Sequence, residues 1–229
     1  MADLSALDGA TLVLDLDGTL VDSAPDLIGT LNVLLAQEGI APLPLDAARP
    51  FIGHGARRLI ERGFAAQGQP APAARMDELF KRFIAHYNNH SADLTRPFPG
   101  AVRALSDMKA AGAKLAICTN KLTNLSMPIL EKLDLAWLFD SVIGADLAPA
   151  PKPDASHLIA AVEAAGGMIG RAVMVGDAAT DAGAARAAGV PLILVSFGYT
   201  EIPAAELAPD ILIHHFDELP DACVRLLTA

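Results

Sequence analysis

Positive charge is scarce in this chain: 17 Lys and Arg stand against 27 Asp and Glu, a formal net charge of −10. That balance argues against a nucleic-acid backbone or an anionic membrane surface as the main partner. It leaves room for a small anionic ligand at a locally positive site. Cysteine is nearly absent as well. Cys118 and Cys223 stand alone, without metal-ligand spacing, and read as reduced thiols of a cytoplasmic protein. No apolar run is long enough to span a bilayer. The N-terminal stretch carries Asp3 and Asp8 without the basic region of a secretory signal. Aromatics are only 5%, yet hydrophobic residues reach 52% with alanine dominant, which suits a sizeable core of closely packed helices.

What is present is an alternation. Short apolar runs at residues 11–15, 114–119, 141–145, 172–177 and 191–196, with a weaker one at 210–214, read as strands. Helical patterns at about 101–111, 122–133, 154–165 and 180–188 lie between them. Strand followed by helix means crossover connections and a parallel sheet covered on both faces. The expected fold is α/β, a doubly wound parallel sheet with an inserted all-helical cap domain. The core takes residues 1–19 and 93–229, and the cap takes 20–92. Within 20–92 only helical patterns are found and no strand. Ser23 is placed to N-cap the first of these helices, with Pro25 in its first turn and Gly39 past its end.

Ligands of open parallel sheets bind beyond the carboxyl ends of the strands, so the residues there carry the chemistry. The first strand runs into Asp15-Leu16-Asp17-Gly18-Thr19, the second into Thr119-Asn120-Lys121. The loop after the third holds Lys152 between two prolines. The fourth ends in Asp177, with Asp181 four residues on. If Asp15, Asp17, Asp177 and Asp181 converge, Lys152 offsets one negative charge and a divalent ion two more. Without it, desolvated like charges would hold some of these acids protonated. Oxygen-only ligands favour Mg²⁺, which takes substrate phosphate oxygens readily. A carboxylate beside Lys152 and such an ion is able to attack a phosphoryl group. A second carboxylate two residues on is able to protonate the leaving oxygen and then activate water. Thr119 is placed to hold a phosphoryl oxygen.

The ordered set DLDGTLVDS, TN after an apolar strand, PKP and GDxxxD resembles the four motifs of the haloacid dehalogenase superfamily over essentially the whole chain. It is most similar to the phosphoglycolate phosphatase-like members. The resemblance implies Asp15 as nucleophile, Asp17 as general acid and base, and Lys152 as the charge-neutralising lysine. It implies phosphate contacts from Thr119 and its neighbourhood, with Asn120, Gly18 and Thr19 included among the binding residues. It implies Mg²⁺ held by Asp15, the Asp17 carbonyl and Asp177, with Asp181 in support. Ala178 departs from the serine that relatives often carry there.

In the cap, the glycines of Pro50-to-Arg58 precede a helix, so Gly53, His54, Gly55 and Arg57, with Arg58 as an alternative, are candidates for the non-phosphate end of the substrate. The expected reaction is Mg²⁺-dependent hydrolysis of a small phosphorylated metabolite, best matched by 2-phosphoglycolate, in a monomer or homodimer. A sugar phosphomutase and a catalytically silent phospho-ligand binding protein are the alternatives. A dehalogenase needs neither an acid at position 17 nor Asp177, and a phosphonatase needs a cap lysine beside the site, where Lys81 lies on a helix. Lys121 reads as a solvated lysine, with a phosphate contact as the other possibility. His86 and His90 have metal-ligand spacing but no third partner, and read as a polar cap face. His214 and His215 read as loop, and Trp137 with Phe139 as core.

Overall fold

The structure is a computed structural model that describes residues 3–228. Its centre is strand β1 (Thr11–Leu14), all four residues buried. Two short strands, β2 (Val21–Asp22) and β3 (Arg96–Pro97), form a separate antiparallel pair. The remaining strands are β4 (Lys114–Thr119), β5 (Ser141–Gly144), β6 (Ala172–Gly176), β7 (Leu192–Val195) and β8 (Ile211–Ile213). With β1 they form a six-stranded sheet in the order β5-β4-β1-β6-β7-β8, every neighbouring pair parallel. The chain leaves β1 toward β4 on one side and returns to β6 on the other, so the topological switch lies at the carboxyl end of β1.

Helices cover both faces because side chains alternate along each strand. From β1, Leu12 and Leu14 join a core built with α5 (Ala101–Ala110) and α9 (Leu219–Thr228). Val13 points the other way, into a core with α7 (Ala155–Ala164) and α8 (Ala179–Ala188). Helix α6 (Thr123–Lys132) follows β4. Both cysteines are free and buried, Cys118 in β4 and Cys223 in α9.

Between β2 and β3 the chain makes α1 (Ala24–Gln37), α2 (Leu45–Ala48), α3 (Ala56–Ala66) and α4 (Met76–His90). Leu31, Leu35, Ile60, Phe64, Phe83 and Tyr87 from α1, α3 and α4 form a hydrophobic cluster that also takes Leu125 and Ile129 of α6. The inserted segment therefore carries its own core and is seated on the end of the sheet where the strands finish.

Three expectations are corrected. The 20–92 stretch is not strand-free, because Val21 pairs with Pro97 and Asp22 with Arg96; two residues are too short for a periodic signal. Ser23 occupies the cap position of α1 but makes no capping bond; its hydroxyl instead donates to Asp17 Oδ1. Trp137 is 55% exposed, its indole donating to the Asp134 carbonyl, while Phe139 is partly buried against the core as expected. No described helix is long and apolar enough to cross a membrane.

Tyr199, in the loop after β7, joins the insert to the sheet. Its hydroxyl donates to Asp22 Oδ1 and accepts from the Ala24 amide at 3.1 Å. Arg49 grips the same aspartate at 3.0 and 3.2 Å and lies over the tyrosine ring. Replacing Tyr199 with Phe strands a buried amide and should lower unfolding free energy by about 1–2 kcal/mol. A urea midpoint equal to the parent's would show that this hydroxyl secures nothing.

Candidate active site

Four strand ends meet at the switch point. Asp15 follows β1 and its amide donates to the Val175 carbonyl at 2.9 Å, which fixes the chain as it leaves the sheet. Asp177 follows β6, Asp181 lies in the first turn of α8, and Lys152 arrives from the loop between β5 and α7. Asp15, Asp177 and Asp181 are all buried, and each offers an oxygen within 4.8 Å of the others'. Lys152 Nζ lies 2.6 Å from Asp181 Oδ1 and 2.9 Å from Asp15 Oδ1.

The partners separate the roles open to these acids. Asp181 spends both oxygens: Oδ1 on Lys152, Oδ2 on the amides of Asp177 and Ala178 at 3.1 and 3.0 Å. Asp177 accepts from the Thr19 hydroxyl at 2.8 Å and from the Tyr199 amide at 2.7 Å. Asp15 differs. Its buried Oδ1 is ion-paired with Lys152 but has no hydrogen-bond partner. Burial pushes the Asp15 carboxyl up to about 6, with Lys152 opposing and Asp181 and Asp17 adding to the rise. Burial, with Asp181 and Asp15 adding, raises Asp177 well above the carboxylate range. Lys152 is pulled down by burial but held above the usual lysine range by Asp15 and Asp181.

Asp17 does not join this cluster, contrary to the four-acid tally. Its carboxylate is held by Lys121 Nζ at 3.0 and 2.9 Å and by Ser23. Lys121 is thus no solvated lysine; only 8% is exposed, and its ammonium also sits over the Tyr87 ring, 4.7 Å from the centroid. With Asp17 balanced by Lys121, three acids face the single charge of Lys152. The surplus is two negative charges, which one divalent cation neutralises. The orphaned Asp15 oxygen and the all-oxygen donor set fit such an ion.

Close backbone approach is what admits the acids. Gly18 has φ +88°, and a Cβ there would stand 2.6 Å from Asp177 Oδ2; at Gly198 it would stand 2.2 Å from Asp177 Cβ. Gly18 and Thr19 therefore wall and hold Asp177. Asn120 is committed to backbone: its amide donates to the Gly53 and Lys152 carbonyls at 3.2 and 3.1 Å, and its oxygen accepts from the Lys152 amide at 2.9 Å. His157, wholly buried, also accepts from the Lys152 amide at 3.2 Å. Thr119, 2% exposed, accepts from the Lys121 amide and has its own hydroxyl hydrogen to spare.

A cavity of about 250 Å³ opens between this centre and the insert. Asp15, Asp17, Thr119 and Asn120 line it from the sheet side, and Gly53, His54, Gly55 and Arg57 from the insert. Burial lowers the His54 imidazole, with Arg62 adding. Arg57 is half exposed, bound to Asp77 at 2.8 Å and stacked on Phe80. Arg58 turns outward to Glu61. His86 and His90 stack on each other away from the acids, His86 bonded to Thr30 and His90 to Asp93. His214 and His215 follow β8 as loop. Sequence reasoning missed the Asp17 partners Lys121 and Ser23, and missed Tyr87, Tyr199 and His157; each works through a contact formed only on folding.

Comparison with known proteins agrees with this arrangement. A family model described as haloacid dehalogenase-like hydrolase matches residues 12–195. The chain is 57% identical over 229 residues to a Caulobacter vibrioides protein named phosphoglycolate phosphatase, covering 100% of this chain and 97% of that one. A protein of the same name from Agrobacterium fabrum is 43% identical over 217 residues, covering 95% and 93%. Among solved structures, a predicted phosphoglycolate phosphatase from Haemophilus somnus superposes with a TM-score of 0.86 at 27% identity, covering 93% and 97% of the two chains.

A carboxyl whose pKa rises on folding stabilises the fold below its unfolded value, and that contribution is lost as pH climbs through the folded value. For Asp15 this window runs from the ordinary 3.8 to about 6. In EDTA, Asp15→Asn should therefore match the parent below the window and exceed it above, by about 3 kcal/mol at neutral pH. Saturating Mg²⁺ should close the gap by stabilising the parent. Thermal melts of both proteins across that range check this; a gap that shrinks with rising pH would contradict it.

Proposed function

We propose, from the premise that the chain belongs to the haloacid dehalogenase-like hydrolase family, that it is a phosphatase whose substrate is 2-phosphoglycolate. The observation that carries the chemistry is Asp15: a buried carboxylate with an oxygen that takes no hydrogen bond, beside Lys152, at the floor of the cavity. The substrate assignment rests on the relatives' names, the 57% identity being the strongest support.

In this reading Asp15 attacks the phosphorus in line with the ester bond. Lys152 offsets the charge that would otherwise repel one anion from another. The Thr119 hydroxyl donates to a phosphoryl oxygen. Asp17, carrying the proton it took from water in the preceding hydrolytic half-reaction, gives that proton to the ester oxygen as the bond to phosphorus breaks, so glycolate leaves as an alcohol and Asp15 carries the phosphoryl group as an acyl phosphate. Asp17 then takes a proton from water, whose oxygen attacks the same phosphorus and returns Asp15 and inorganic phosphate. Asp15, Asp177 and the Asp17 carbonyl, with Asp181 in support, would hold Mg²⁺, which when bound neutralises the cluster and the transferring phosphoryl oxygens.

Residues 20–92 act as the cap, excluding water while the acyl phosphate forms, and the core comprises 1–19 with 93–229. Gly53, His54 and Gly55 shape the roof of the cavity. Two buried free thiols suit a reducing, cytoplasmic setting.

Asp15→Asn should reduce turnover below about one-thousandth of the parent, since no other group supplies the nucleophile. EDTA should abolish activity and Mg²⁺ restore it. Phosphate release across a panel of phosphorylated metabolites should give the highest kcat/KM with 2-phosphoglycolate. Retained turnover in the Asn variant would overturn the nucleophile, and a preference for a sugar phosphate would overturn the substrate.

A further inference from the structure

We infer that Lys121 and Tyr87, not the cap arginines, read the carboxylate of the substrate, and that they select an acid whose carboxylate is one carbon from the phosphate ester. The inference deepens the reading above and rests on it.

Two cationic side chains line the cavity, Arg57 and Lys121. Arg57 is at the outer rim, its guanidinium already on Asp77 and stacked over Phe80, with 51% of its side chain exposed. Lys121 is on the floor, with 6% of its side chain exposed. A desolvated ammonium discriminates between a charged and a neutral leaving group far better than a solvated guanidinium does.

Position fixes which anion it reaches. Asp17, as the acid, must come within hydrogen-bond reach of the ester oxygen. Lys121 Nζ is itself 2.9 Å from Asp17. The ammonium therefore stands one small group away from the ester oxygen, where an α-carboxylate lies. A carboxylate one carbon further along would overshoot it.

A second donor waits at the same place. Tyr87 lines the same cavity, and its wholly buried hydroxyl has no hydrogen-bond partner. Native proteins rarely leave such a group unsatisfied. The Lys121 ammonium sits over the Tyr87 ring, so cation and hydroxyl together offer a carboxylate two donors. Lys121 comes from the sheet side and Tyr87 from α4 of the cap. A bound carboxylate thus bridges the two halves of the molecule and holds the cavity shut over the reacting phosphate.

The test is a ratio: kcat/KM for 2-phosphoglycolate divided by that for ethyl phosphate, the same ester without the carboxylate. Dividing cancels any loss that acts through Asp17 on both substrates. Lys121→Met should lower the ratio at least about 30-fold, Tyr87→Phe about 5-fold, and Lys121→Arg much less than Met. In the unaltered protein, 3-phosphoglycerate, whose carboxylate is one carbon further away, should give a ratio at least about 10-fold below that of 2-phosphoglycolate. This last measurement, with Tyr87→Phe, decides the matter if Lys121→Met does not fold. A ratio unchanged in Lys121→Met, one abolished by Arg57→Ala, or an equal preference for 3-phosphoglycerate would overturn the assignment. A protein that hydrolyses ethyl phosphate and not 2-phosphoglycolate would instead remove the substrate reading on which it stands.

Discussion

Three buried carboxylates that repel one another, with one lysine among them, are the constraint around which this molecule is built. Asp15, Asp177 and Asp181 lie within 4.8 Å, and Lys152 offsets only one of their charges. In a low-dielectric site such a group persists only if its surroundings hold it in place. Much of the neighbouring structure does so. Asp181 is bonded to two backbone amides and Lys152, Asp177 to Thr19 and the Tyr199 amide, and the Lys152 loop is fastened by Asn120 and His157. Of the three, Asp15 alone is left with an oxygen that takes no hydrogen bond, and that asymmetry sets it apart from the two acids whose oxygens are held.

The same restraints reach across to the insert. Tyr199 gives its amide to Asp177 and its hydroxyl to Asp22, at the point where the chain departs for the helices. Asn120 binds the Lys152 loop on one side and Gly53 on the other. The acid centre and the roof of the cavity are thus joined through two polar side chains. The sheet supplies rigidity at the switch point, and these joints set where the roof stands.

Much of this was legible along the chain because it is local. Apolar runs between alanine-rich helices declare a parallel sheet, and Gly18 after two aspartates declares a turn that only a close-packed site requires. What escaped notice depends on partners far apart in sequence. Nothing around Lys121 says that it will meet Asp17, more than a hundred residues away, under a tyrosine from a third region. A lysine in isolation is correctly read as solvated; burial changes that reading. Ser23 looked like a helix cap because it stands where caps stand, but the stronger acceptor at Asp17 claims its hydroxyl. Trp137 beside Phe139 reads as core, yet the turn at Asp134 satisfies its indole at the surface.

The small ribbon at the base of the insert carries a wider consequence. Val21 lies beside Pro97, so the excursion of the chain begins and ends at one doorway. The entropy of closing such a loop grows only slowly with its length. The insert can therefore be lengthened, trimmed or exchanged during evolution with little entropic penalty to the sheet, and the walls that residues 24–90 give the cavity can be redecorated while the acids at the strand ends stay where they are.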